Sequence, residues 1–126
     1  MLLRLDFSSG VPIYRQIHDQ LVLGIADGRL KAGEKLPSVR SLASEAGVNM
    51  MTVSKAYGTL KAEGHILTDR RGGTVVAGCA DKVGEETLLN EIRLPAAEAK
   101  LSGMARDKWL ELCGLAYDGK KEDESL

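Results

Sequence analysis

At 126 residues, 44% hydrophobic and 28% charged, the chain has the size and make-up of one small soluble domain with a short extension, too small to add a large catalytic domain. No apolar run approaches the roughly 18 residues that span a bilayer, and the first residues lack the basic and apolar segments of an export signal, so no membrane partner and a cytoplasmic location are expected. The formal net charge of -1 hides an asymmetry: residues 1–78 carry ten Lys and Arg against seven Asp and Glu, and residues 79–126 carry seven against eleven, so the cationic surplus lies in the N-terminal part. Cys79 and Cys113 have neither CxxC spacing nor a histidine cluster beside them. They read as small buried hydrophobes, with no disulfide framework, metal site or cofactor expected.

In chain order, Leu2 to Phe7 alternates imperfectly and fits a short strand or an arm, broken at Ser8-Ser9-Gly10. Pro12 suits a first helical turn, and Ile13, Ile17, Leu21 and Ile25 recur every four residues, predicting a helix that stops near Gly28. Lys31 to Pro37 is a polar connection, and Ser38 is placed to cap a short second helix with Val39, Leu42, Ala43 and Ala46 on one side and Gly47 at its end. Asn49 offers the next cap almost at once, with Val48 and Val53 spaced as a hydrophobic staple. A third helix then buries Val53, Ala56, Tyr57 and Leu60 and ends near Gly64. Ile66 to Asp69 and Thr74 to Ala77 are short strands flanking Arg70-Arg71-Gly72-Gly73, where both glycines can take the positive φ of a tight hairpin. Beyond Gly78, Leu88, Leu89, Ile92, Ala96, Ala99 and Leu101 predict either one helix kinked at Pro95 or two helices parted at Leu94-Pro95. A last helix is expected over Ala105–Ala116, followed by a frayed acidic tail.

The fold class is therefore mainly α with a small β-hairpin: a winged helix-turn-helix over residues 1–78 and a helical dimerisation region over 79–126. Two nearly contiguous helices, the second with a polar exposed face, followed by a basic hairpin, meet the requirements of a module that reads duplex DNA. Met50, Met51, Thr52, Ser54 and Lys55 would face the major groove, Arg40 a phosphate, and Arg70 and Arg71 a neighbouring minor groove. Taken singly, each has a plainer reading: the methionines as core fillers or hydrophobic contacts, the lysines as solvated helix surface, the two arginines as an ordinary turn. Their joint arrangement favours DNA.

Residues 11–77 resemble the DNA-binding domain of the GntR family of bacterial regulators. The resemblance rests on Pro12-Ile13-Tyr14-Arg15-Gln16-Ile17, on Gly28 through Ser38, and on Val48-Asn49 through Thr52-Val53-Ser54-Lys55-Ala56-Tyr57 with Leu60 and Glu63-Gly64. The Ser38-Val39-Arg40 and Thr52 to Tyr57 versions, with the short remainder, are similar to the YtrA subgroup. The resemblance implies a transcription regulator, a repressor of a transport operon, acting as a homodimer on a palindromic double-stranded DNA operator. It places Ser38, Arg40, Asn49, Thr52, Ser54 and Lys55 at the DNA and Arg70, Arg71 and Gly72 in the wing. Met50 stands where many members carry arginine, which implies a different operator. The wing text Arg-Arg-Gly-Gly-Thr is one residue shorter than the common pattern.

Leu88, Leu89, Ile92, Trp109, Leu110, Leu112 and Leu115 are too apolar to leave in water, and packing between two copies is the expected solution, against folding back on the chain's own first domain. An effector of unknown identity would sit between the winged helix and these helices. Two rival classes are a winged-helix module that binds protein instead of DNA, and an enzyme using His18, Asp19, Glu63 and His65 for acid-base work. The second is disfavoured, since no nucleophile, metal-spaced cluster or phosphate loop accompanies those residues, and the expectation is that the chain is not an enzyme.

Overall fold

The four-residue repeat of Ile13, Ile17, Leu21 and Ile25 becomes α1, Ile13–Ala26, which buries Ile17 and Leu21 and leaves the outer two half-buried. The computed structural model describes residues 3–78 and 83–119, and internal packing divides the chain into two units, Met1–Asp81 and Lys82–Leu126.

In the first unit α1 is followed by β1 (Lys35–Leu36), α2 (Val39–Ala46), α3 (Met50–Ala62), β2 (Ile66–Thr68) and β3 (Thr74–Val76). The expected hairpin pairs β2 with β3, Ile66 opposite Val76 and Thr68 opposite Thr74. The polar connection from Lys31 to Pro37 contributes a third strand: Lys35 pairs with Val75 and Leu36 with Thr74, giving an antiparallel sheet in the order β1-β3-β2. Two residues between a glycine and a proline carry no strand periodicity of their own. Here the free edge of β3 supplies the partner groups that a two-residue segment needs. One side chain from each strand, Leu36, Ile66 and Val76, joins Ile17, Leu21, Leu42, Val53, Ala56, Tyr57 and Leu60 in a single core.

The N-terminal segment is an arm and forms no strand over its described residues. Leu3 and Leu5 pack on the core, while two glutamines of α1 hold the backbone between them. Gln20 accepts from the Arg4 N–H at 2.9 Å and donates to the Arg4 carbonyl at 2.7 Å; Gln16 does the same for Asp6 at 2.8 and 2.9 Å. Side-chain amides spaced four apart on one helix face thus replace a neighbouring strand for alternate residues of the arm.

The second unit consists of α4 (Glu85–Leu101) and α5 (Arg106–Asp118). Pro95 lies inside α4, which runs through it as one helix. Losing one donor at Pro95 costs less than breaking the helix, which would leave several orphan backbone groups at each new end. α5 begins one residue later and ends two residues later than expected, with Ala105 as its N-cap. Cys113 is half-buried and not a core residue, Cys79 lies outside the described residues, and so does the acidic tail from residue 120 onward.

Candidate nucleic-acid interface

Two caps decide where α2 and α3 begin. Ser38 Oγ accepts the Ser41 N–H at 3.0 Å at the start of α2, and Asn49 Oδ1 accepts the Met51 N–H at 2.7 Å at the start of α3. Between them Gly47 sits at φ 70°, ψ 37°, a left-handed conformation that ends α2 and turns the chain into α3 without the cost a Cβ would add. Ser38 and Asn49 therefore commit one oxygen each to backbone. The Ser38 hydroxyl proton and the Asn49 amide N–H bonds stay available for phosphate or base.

α3 turns Val53, Ala56, Tyr57 and Leu60 inward. Met51 (79% exposed), Ser54 and Lys55 therefore lie on the outer face, with Met50 (43% exposed) on its flank and Thr52 half-buried. Neither methionine fills the core, which leaves the pair to base contact or to a hydrophobic contact at the surface. From Met50 to Ala62 the helix carries no carboxylate. Its positive dipole end and Lys55 thus face outward without a competing negative charge on the same helix. Arg40, two residues after the Ser38 cap, is exposed and makes no ion pair among the described residues.

Two tertiary contacts that sequence spacing does not reveal hold α3 in place. The Tyr57 hydroxyl donates to the Pro37 carbonyl at 2.8 Å, and burial pushes its pKa up to about 12, so it stays a proton donor throughout the physiological range. On the other flank the Lys55 ammonium stands 4.0 Å above the centroid of the Tyr14 ring from α1.

The wing is organised by a residue that sequence reading passed over. Asp69 Oδ1 accepts from the N–H groups of Arg71 and Gly73, both at 2.9 Å, while the Asp69 N–H donates to the Gly73 carbonyl at 2.8 Å. Gly72 alone of the two glycines takes positive φ, at 83°; Gly73 does not, because the turn closes with one left-handed residue. An Asp three residues before a glycine was the available signal. Arg70 and Arg71 are exposed at the tip with Gly72, and neither arginine forms an ion pair among the described residues.

The four residues weighed for acid-base work do meet in space. His18 Nδ1 lies 2.8 Å from Asp19 and Nε2 lies 2.7 Å from Glu63, whose same oxygen is 3.5 Å from His65 Nε2. Partial burial works against charge on His18, but the hydrogen bonds to Glu63 and Asp19 outweigh it and raise the pKa. With both ring nitrogens facing carboxylate oxygens, the doubly protonated ring satisfies every contact. The cluster ties α1 to the end of α3 and the start of β2.

In the second unit Leu88, Leu89, Ile92, Leu110 and Leu115 are each between 44% and 49% exposed, Trp109 and Leu112 are half-buried, and Ala99 is the sole buried hydrophobic among its described residues. No helix among the described residues is long and apolar enough to cross a membrane.

The model of the family described as bacterial regulatory proteins, gntR family, matches residues 13–76, from the first residue of α1 to the last of β3. The chain belongs to the GntR family. It is 36% identical to the HTH-type transcriptional repressor YtrA of Bacillus subtilis, over 97% of this chain and 100% of that one. A solved GntR-family transcription factor, YtrA from Sulfolobus acidocaldarius, is 41% identical, with a TM-score of 0.57, covering 90% of this chain and 95% of that one. The DNA-binding domain of AraR, solved in complex with operator ORX1, is 28% identical, with a TM-score of 0.54, over 61% of this chain and 99% of that one. This GntR chain is thus a transcription regulator with a DNA-binding winged helix, similar in sequence to YtrA over nearly its whole length.

Proposed function

We propose that this GntR-family chain is a cytoplasmic repressor that binds a palindromic operator as a homodimer, with residues 1–78 as the reading head and 79–126 as the dimerisation region. The observation that carries the reading is the outer face of α3. It opens on a capped N-terminus, holds Met50, Met51, Thr52, Ser54 and Lys55 at or beside its exposed surface, and carries no carboxylate. In the major groove these residues offer hydroxyls to bases or phosphates, thioethers to thymine methyls and one cation to a phosphate. Arg40 neutralises a second phosphate from α2, Ser38 and Asn49 donate from their caps, and Arg70, Arg71 and Gly72 reach the adjacent minor groove. The likeness to the domain of AraR, solved with its operator, supports the DNA partner, and the name of the Bacillus relative supports repression. A transport operon is the target that the YtrA-type resemblance implies.

The dimer rests on the exposed apolar residues of α4 and α5. A two-helix unit with only Ala99 buried among its described residues has no core of its own to speak of. A second copy would cover Leu88, Leu89, Ile92, Trp109, Leu110, Leu112 and Leu115 and present two reading heads about one helical turn apart.

The test is the mass in solution together with titration of a palindromic fragment from the upstream region of its own gene at two salt concentrations. A dimer whose sequence-preferring affinity falls with salt, and falls further in Arg40→Ala, supports the reading. A monomer without sequence preference at low salt overturns it in favour of a protein-binding winged helix.

A further inference from the structure

We infer that Tyr14 is a positioning residue for operator binding: its ring holds the Lys55 ammonium at the junction of α1 and α3, where that charge meets a DNA phosphate. The inference rests on the operator-binding reading and adds to it a residue outside the helix-turn-helix and the wing.

The geometry is specific. Tyr14 stands one residue into α1 and is half-buried, so its ring is fixed by its surroundings, while Lys55 is exposed on α3 with its Nζ 4.0 Å from the ring centroid. A lysine at the surface of a helix ordinarily samples many rotamers, and ordering it on a phosphate costs conformational entropy. The ring supplies that order before DNA arrives. It covers one side of the ammonium of an exposed residue, and Lys55 makes no ion pair among the described residues that would have to be broken first. A cation over a ring face keeps its full charge, unlike one neutralised by a carboxylate, so the phosphate attraction is retained.

The experiment is a double-mutant cycle on the full chain, measuring operator affinity and its salt slope for the wild type, Tyr14→Leu, Tyr14→Phe, Lys55→Ala and Tyr14→Leu/Lys55→Ala, with thermal melts of each. Tyr14→Leu is expected to weaken binding about two- to fivefold with the salt slope unchanged, because the lysine charge remains. Tyr14→Phe, which keeps the ring face, restores binding; Lys55→Ala lowers the slope by about one. In the Lys55→Ala background Tyr14→Leu is then silent. A Tyr14→Leu loss of the same size with and without Lys55 overturns the inference and leaves operator binding standing. Failure of the wild type to bind any fragment in a salt-dependent, sequence-preferring way overturns both.

Discussion

The Tyr57 hydroxyl donates 2.8 Å to the Pro37 carbonyl, tying the middle of α3 to the residue just ahead of the Ser38 cap. One hydrogen bond thus couples the orientation of the helix proposed to read bases to the start of the helix that carries Arg40. Tyr57→Phe keeps the ring volume and strands the carbonyl. The expected loss is about 1–2 kcal/mol in a urea melt, with operator affinity falling more than stability alone explains. An unchanged melting midpoint would show that water replaces the hydroxyl without cost.

His18 sets a pH dependence whose sign follows from its surroundings. Its pKa is raised above the ordinary 6.5 because Glu63 and Asp19 hold the charged ring against the opposing effect of partial burial. A raised folded-state value means the stabilisation is complete below about pH 6.5 and is lost as pH climbs through the raised value. The neighbouring Arg15, 3.7 Å from Asp19, and His65, on the far side of Glu63, compete for the same two carboxylates and moderate the effect. Melting temperature is expected to fall as pH rises above about 6.5 through the raised value in the wild type and to be flatter in His18→Gln. Parallel curves for the two proteins would remove His18 as the source.

Asp69 is expected to matter more for DNA than for folding. Its carboxylate fixes the Arg71 and Gly73 N–H groups at the exposed wing tip, away from the core. Asp69→Ala should cost about 1 kcal/mol of stability or less and reduce operator affinity by up to about tenfold, since two arginines lose their fixed placement. Equal affinities would mean that the wing makes no ordered contact.

The Asn49 cap separates a structural role from a contact. Asn49→Ala removes the acceptor for the Met51 N–H and should cost about 1 kcal/mol. Asn49→Asp keeps the cap and restores stability, but sets a negative charge beside the phosphates, so its operator affinity should stay low. Recovery of affinity in Asn49→Asp would confine the residue to capping.

For the proposed dimer, Ile92→Asp places a charge within the apolar stripe of α4, where the side chain is 49% exposed. The mass by light scattering should fall from two chains to one, with secondary structure kept, and operator affinity should drop because each head then binds alone. A dimer that survives the change would put the contact elsewhere.

Much of this molecule was determined by its sequence alone, because the signals were local. A four-residue apolar repeat defines α1, and Ser38, Gly47 and Asn49 punctuate α2 and α3 at the observed positions, since caps and left-handed turns depend on a few adjacent residues. The pairing of the wing strands was readable for the same reason, though not its Asp69 anchor or its single left-handed glycine, and the family was legible in Pro12 to Ile17, Gly28 to Ser38 and Val48 to Tyr57. The outward face of α3 followed from a periodicity of 3.6 once Val53, Ala56, Tyr57 and Leu60 were taken as its inner side.

Tertiary structure decided what depends on partners distant in the chain. Lys35–Leu36 is a strand only because β3 lies beside it, and Leu2 to Phe7 could not be settled without the two glutamine amides that hold Arg4 and Asp6. His18 and Glu63, 45 residues apart, share a hydrogen bond that no local pattern announces, and Tyr14 and Lys55 likewise meet only when α1 packs on α3. Helix starts, turns and amphipathic faces are written in neighbouring residues. Pairings across the core are selected by the packing of the whole unit, and those pairings hold the proposed DNA-facing side chains in place.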